Sequence, residues 1–187
     1  NLLQGTNHNL VESLAYPFGA YDDNTLEVLR NLDVKYARTT TSTGTFELPQ
    51  SDFLIFDPTC HISEGIDYAN YFVNMKKERM QVLHIWGHSY EFHENWEKAD
   101  SLVDILDNNN EIWYAKSIEL VEYLNTIENL VYNENTLYNP SEVLSIWVKN
   151  TQGEFKELQP GAKMDINFKG PYKTVNSIES LYPDKTT

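Results

Sequence analysis

The stretch QVLHIWGHSYEFHENW, Gln81 to Trp96, holds three histidines, two acids, two tryptophans and a tyrosine directly behind a short apolar run. That run, from Met80 to Ile85 and closed by Gly87, reads as a buried strand emptying into a loop. Such a strand sets His88 at its carboxyl end, where α/β proteins gather their reactive groups. His88 is therefore the first candidate functional residue. His84 falls inside the strand and reads as a core residue. It shares a face with His88 only if the segment is helical, so the two are not read as a metal pair. His93 reads as a solvated residue near the start of the next helix.

Working upstream, Phe53 to Phe56 reads as a short strand running into Asp57-Pro58-Thr59-Cys60-His61, and Ser63 caps a helix to about Lys77 with Ile66, Ala69, Phe72 and Val73 on its apolar side. Arg38 to Gln50, rich in Thr, Ser and Gly, is a long loop. Before it, Val11 to Tyr16 reads as a strand ended by Pro17-Phe18-Gly19. Asn24 with Glu27 forms a capping-box signature for a helix bearing Leu26, Leu29 and Leu32, which Asp33 stops ahead of a strand over Val34 to Ala37. Residues 1–9 read as the close of a helix, with Gly5 as its stop and a loop over 6–9.

Downstream, Trp96, Ala99, Val103 and Leu106 mark a helix, Ile112 to Ala115 a strand, and Ser117 the cap of a helix carrying Ile118, Val121, Leu124 and Ile127. Strand and helix thus alternate over residues 1–129, which predicts an α/β fold: a parallel sheet or part of a β/α barrel. From Leu130 the pattern changes. Val143 to Val148, a turn at Thr151-Gln152-Gly153 and the period-two run Met164 to Phe168 predict a small antiparallel β extension over 130–187.

Composition narrows the function. The hydrophobic fraction is 41% with 13% aromatic residues, enough for a packed core. The 28 acids against 14 bases leave a net charge of −14, which excludes nucleic acid and anionic membrane surfaces as natural partners. Neutral or cationic ligands stay open. No run approaches the ~18 apolar residues of a membrane span. Cys60 is the single cysteine, so no internal disulfide is possible, and it reads as a small buried residue. The chain starts at Asn1 without an initiator Met or signal peptide, so it reads as a segment of something longer.

Five segments together carry a resemblance: Leu14-Ala15-Tyr16-Pro17-Phe18-Gly19-Ala20-Tyr21, Tyr36-Ala37-Arg38-Thr39-Thr40, Pro58-Thr59-Cys60-His61, Trp86-Gly87-His88-Ser89-Tyr90-Glu91-Phe92 and Ile112-Trp113-Tyr114-Ala115. In order and spacing they resemble the polysaccharide deacetylases of the NodB-homology type, carbohydrate esterase family 4, over residues 11–128. The resemblance implies a distorted β/α barrel and metal-dependent hydrolysis of acetyl groups from amino sugars, with a divalent ion, commonly zinc, polarising the carbonyl. It implies that His88 is the general acid and that the backbone N–H of Phe18 faces the oxyanion. Tyr16, His61, Trp86, Tyr90 and Glu91 are the substrate-binding candidates: His61 lines the pocket, Tyr90 and Glu91 bond hydroxyls or brace His88, and Trp86, like Trp113, offers a stacking face. A carbohydrate is the implied partner, and the extracellular space or cell envelope the implied location.

The departures are equally specific. The family's metal-binding motifs, an Asp pair and a His-Ser/Thr-x-x-His, have no match here, since Asp22-Asp23 follows the Pro-Phe-Gly turn and reads as helix N-terminal charge. His8 has no partner at the needed spacing. Ala15 stands where the family often has Arg. The segment therefore corresponds to the C-terminal portion of the catalytic domain, holds no metal ligands of that set, and is inactive alone. It needs either its N-terminal part or self-association. The alternatives are a non-catalytic saccharide-binding module and an assembly module with an open sheet edge.

Overall fold

Ser13–Ala15 (β1) pairs in parallel with Tyr36–Arg38 (β2), and the helix Asp23–Asn31 (α1) joins them. The computed structural model describes residues 11–49, 52–76, 79–93, 96–133, 135–149 and 154–165. The expected helix end and loop over 1–9 with His8, the turn at 151–153 and the end of the run 164–168 lie outside them. Helix α1 starts two residues earlier than the capping box suggested. Asp22, in an extended conformation, accepts hydrogen bonds from Thr25 N at 2.8 Å and Thr25 Oγ1 at 2.6 Å, so Asn24 falls inside the helix. The reading of Asp22 and Asp23 as helix N-terminal charge holds. Leu26 and Leu29 of α1 pack with Tyr16, Val34, Ala37 and Leu54 in one core cluster. Asp33 ends the helix at φ 58°, a left-handed residue that Asp tolerates better than most.

The parallel ladder continues past β2. Phe56 N donates to Ala37 O at 3.0 Å and Thr39 N to Phe56 O at 3.1 Å, which adds a third row. Residues 53–55, expected as strand, form a 3₁₀ turn instead, because the Asp52 carboxylate accepts from Leu54 N. A strand would send Phe53 and Leu54 to opposite faces; the turn buries both. The same chain passes into Cys60–His61 (β3), which pairs in parallel with Ile85–Trp86 (β4) across the helix Gly65–Asn74 (α2). Four segments thus pair in parallel and in chain order. Ser63 is not the cap of α2 but sits in the 3₁₀ turn Ile62–Glu64 ahead of it.

The expected strand over 80–85 is shorter than its apolar run. Val82 N bonds to Phe46 O at 2.9 Å and His84 N to Thr59 Oγ1 at 3.0 Å, so these amides serve a loop and a side chain rather than a ladder. The helix Glu97–Leu106 (α3) follows as expected. Residues 112–115 are not a strand: the Tyr114 hydroxyl donates to Leu106 O and accepts from Asn109 N, which folds this stretch back as a loop and leaves Trp113 and Tyr114 exposed.

The chain divides into units 1–115 and 116–187, so the boundary precedes α4, Ser117–Glu128, rather than following residue 129. Helix α4 belongs with the C-terminal part because the Tyr123 hydroxyl accepts from Trp147 N at 3.1 Å. Its cap is the Glu119 carboxylate on Lys116 N, 2.9 Å, rather than Ser117. The β extension is antiparallel as expected. Val131–Asn133 (β5), Thr136–Tyr138 (β6) and Lys163–Asp165 (β9) form one sheet, and Ile146–Lys149 (β7) with Phe155–Leu158 (β8) a hairpin. Among the described residues the sheets are small and do not close into a barrel. No described helix is long and apolar enough to cross a membrane.

Candidate functional site at the carboxyl end of the parallel strands

Strands β3 and β4 end side by side on His61 and Trp86, which are register partners. Beyond β4 the chain turns through Gly87 and the extended His88 into a 3₁₀ turn over Ser89–Phe92. That turn swings Glu91 back. Its Oε2 accepts from His88 N at 2.7 Å, while Oε1 lies 3.0 Å from His61 Nε2 and 3.6 Å from His88 Nδ1. One carboxylate therefore gathers two imidazoles from adjacent strand ends. The arrangement requires glycine at 87, since a Cβ there would lie 2.5 Å from Ile62 Cγ2 and 2.8 Å from Glu91 Oε2. On its far side His61 Nδ1 is 2.9 Å from Ser63 Oγ.

The hydrogen bond from His88 N–H holds the Glu91 carboxyl below the usual carboxylate range, and the two imidazoles add to it against a partial burial cost. Aromatic faces surround the cluster. Trp86 meets His61 and His88 edge-on at 4.7 and 5.7 Å, Tyr90 stacks on His88 at 4.8 Å, and the Arg38 guanidinium sits 4.9 Å from the Trp86 ring centre. The Trp86 indole N–H is buried without an acceptor. Beside the cluster opens a cleft of about 370 Å³ lined by Trp86, Gly87, His88, Phe92 and Trp96 among others, with Phe92 stacked on Trp96 at 5.3 Å.

Five of the expected residues thus come together: His61, Trp86, His88, Tyr90 and Glu91. Two do not. Tyr16 is a core residue, 3% exposed, whose hydroxyl donates to Leu54 O at 2.8 Å and whose ring stacks on Tyr21; burial pushes its phenol up. It is not free to bind substrate. Phe18 presents a fully exposed ring at φ 58°, and Gly19 follows at φ 69°, where a Cβ would run into Thr40 Oγ1. Among the described residues no hydrogen bond, ion pair or ring contact joins Tyr16 or Phe18 to the cluster. Trp113 is exposed in the loop after α3. His84 is in the core as expected, its ring 5.0 Å from Phe56, and Cys60 is buried with its thiol pushed up to about 11, first by burial and then by Glu64. A thiol so raised is no nucleophile at neutral pH.

Sequence reasoning did not reach the tie from Glu91 to His61, the Ser63 hydroxyl behind His61, or the part of Phe92 and Trp96 in the cleft. The usable signal was local: Gly87 and Glu91 flank His88 at the spacing of a tight turn whose fourth residue caps its first. In comparisons with known proteins, the chain matches no protein family, no curated protein and no solved structure.

Proposed function

We propose that the chain is the C-terminal, proton-delivering portion of a carbohydrate deacetylase of the NodB-homology type, with His88 as general acid and Glu91 as the carboxylate that orients it. The observation that carries this reading is Glu91 itself. Its carboxylate, fixed by the His88 N–H at 2.7 Å, faces His88 Nδ1 at the end of β4. A carboxylate on the Nδ1 side of the ring leaves Nε2 as the nitrogen turned away from it, the one that hands on a proton. In the hydrolysis, water adds to the acetyl carbonyl carbon, the C–N bond breaks, acetate departs, and the sugar amine takes the His88 proton. Trp86 and Tyr90 supply apolar faces against which a sugar ring stacks. The parallel rows, paired in chain order, are taken as an arc of a β/α barrel.

The family's metal would supply Lewis-acid polarisation of the carbonyl when bound. Its Asp and His-Ser/Thr-x-x-His ligands do not occur in this sequence, so the donor set does not fit that group and no step here runs through it. The base that takes the water proton is absent for the same reason, and a separate N-terminal portion must bring both.

In the complete protein, His88→Ala is expected to lower acetate release from N-acetylglucosamine oligomers by about 10² or more, with the fold kept. An unchanged rate removes His88 from the chemistry and the reading with it. A second reading, a non-catalytic saccharide-binding module, is favoured by one observation: Trp96, which lines the cleft, presents an exposed ring, and so does Tyr90, stacked on the cleft residue His88. Oligosaccharide affinity that a chelator leaves untouched, with no acetate released, decides for it.

A further inference from the structure

A donor set of two imidazoles and a carboxylate can hold an ion as well as a proton. We infer that His61 Nε2, His88 Nδ1 and Glu91 Oε1 bind one divalent transition-metal ion of the zinc class, at a site separate from the metal set that the family resemblance implies.

The spacing is the first argument. A tetrahedral ion with ligand bonds of about 2.0–2.1 Å sets its ligand atoms about 3.4 Å apart. The two contacts to Glu91 Oε1, 3.0 and 3.6 Å, straddle that value, and all three donors lie within 4.8 Å of one another. Closing on an ion requires shifts of about an ångström in side chains that end in solvent. Donor chemistry is the second argument. Two nitrogen donors and one oxygen favour zinc, cobalt or copper over calcium and magnesium, which prefer all-oxygen shells.

The surroundings supply the third. A ligating imidazole is commonly held at its other nitrogen by a second contact, and His61 Nδ1 is held on that side by Ser63, whose N–H donates to it at 3.3 Å and whose Oγ lies 2.9 Å away. On Glu91 the two oxygens already have separate duties: the His88 N–H holds Oε2, which leaves Oε1 for the ion. Both second contacts come from the backbone or a short side chain in the two turns that close β3 and β4. The side chains of His61, His88 and Glu91 are 27%, 47% and 24% exposed, so a fourth position is open to water. This is the pattern of three protein ligands and one exchangeable place.

The three ligands also span two strands. An ion there pins the end of β3 to the turn after β4 and, in the deacetylase reading on which this one consequence rests, silences His88. With Nδ1 committed to metal, the remaining Nε2–H is a far weaker acid than an imidazolium, so ion occupancy and proton delivery exclude each other.

The test uses the full chain stripped of metal and titrated with Zn²⁺ alone and with Co²⁺ alone, read by calorimetry and by the visible absorption of four-coordinate Co²⁺. One equivalent is expected to bind. Glu91→Gln, which keeps the bond to the His88 N–H, and His61→Asn are each expected to weaken binding at least about tenfold, and His93→Asn to leave it unchanged. A measurement on the unaltered chain covers the case of a variant that fails to fold: Co²⁺ should shift the ring-proton NMR signals of two of the five histidines, those of His61 and His88. No binding, equal binding by both site variants, or shifts confined to other histidines overturns the inference. Because binding is read without substrate, and acetate release is assayed in the complete protein with this site empty, Zn²⁺ affinity with no acetate release keeps the ion site and removes the deacetylase reading, and the reverse result does the opposite.

Discussion

At the scale of single residues, His84 shows how burial alone sets a property. Its ring packs on Phe56, its Nδ1 is buried without a partner, and its pKa is pushed from the ordinary 6.5 down to about 4, first by burial and then by the Arg38 charge. The folded chain therefore keeps His84 neutral where the unfolded chain protonates it. The folded pKa is the depressed one, so stability is full above pH 6.5 and is lost as pH falls through the window down to about 4. The shift corresponds to roughly 3 kcal/mol at most. Denaturant unfolding at pH 7 and pH 4.5 is expected to show this loss, and His84→Leu to flatten it; parallel curves for the two chains would refute it. His84 and His88, four residues apart, differ in role because one precedes the strand end and the other follows it. That much was legible from the position of Gly87.

At the scale of elements, residues that make no chemical motif decide the local structure. Asn139 is fully buried in the C-terminal unit. Its Nδ2 donates to Leu144 O at 2.7 Å and Leu158 O at 3.1 Å, and its Oδ1 accepts from Ser141 N at 3.0 Å. The side chain thus ties the end of β6 to the start and end of the β7–β8 hairpin. Asn139→Ala leaves buried backbone groups without partners, at about 1–3 kcal/mol each, and is expected to destabilise the chain by about 3 kcal/mol. Urea unfolding followed by Trp147 fluorescence checks it, and a loss below about 1 kcal/mol would show that water replaces the amide. No periodicity marks this residue, since its partners lie 5 and 19 positions away. The 3₁₀ turn at Phe53–Ile55 was hidden for a related reason. An apolar run reads the same whether a strand or a turn buries it, and only the Asp52 carboxylate on Leu54 N chooses between them.

For the whole molecule the main physical fact is a small parallel array with an open edge among the described residues. Among the described residues β1 pairs with β2 alone, so its outer N–H and C=O groups have no strand to meet. Unpaired parallel edges template further pairing. The isolated chain is accordingly expected to self-associate at micromolar concentration in sedimentation velocity, and a single monomeric boundary at tens of micromolar would mean that the edge is covered some other way. The acidic surface, net −14, opposes that association least at high salt, where charge repulsion is screened.

The sequence by itself determined the alternation of helix and strand through most of the N-terminal unit, the antiparallel character of the C-terminal one, the helix-start charge of Asp22 and Asp23, the burial of Cys60 and His84, and the position of His88 past a strand end. Each of these follows from period, turn chemistry or residue type within a few positions. Tertiary structure alone decided that Tyr16 is core, that α4 belongs with the second unit, and that Glu91 joins His61 to His88. The physical reason is range: that last contact spans thirty residues and exists only because β3 and β4 lie one parallel spacing apart with His61 opposite Trp86, a register no local pattern encodes.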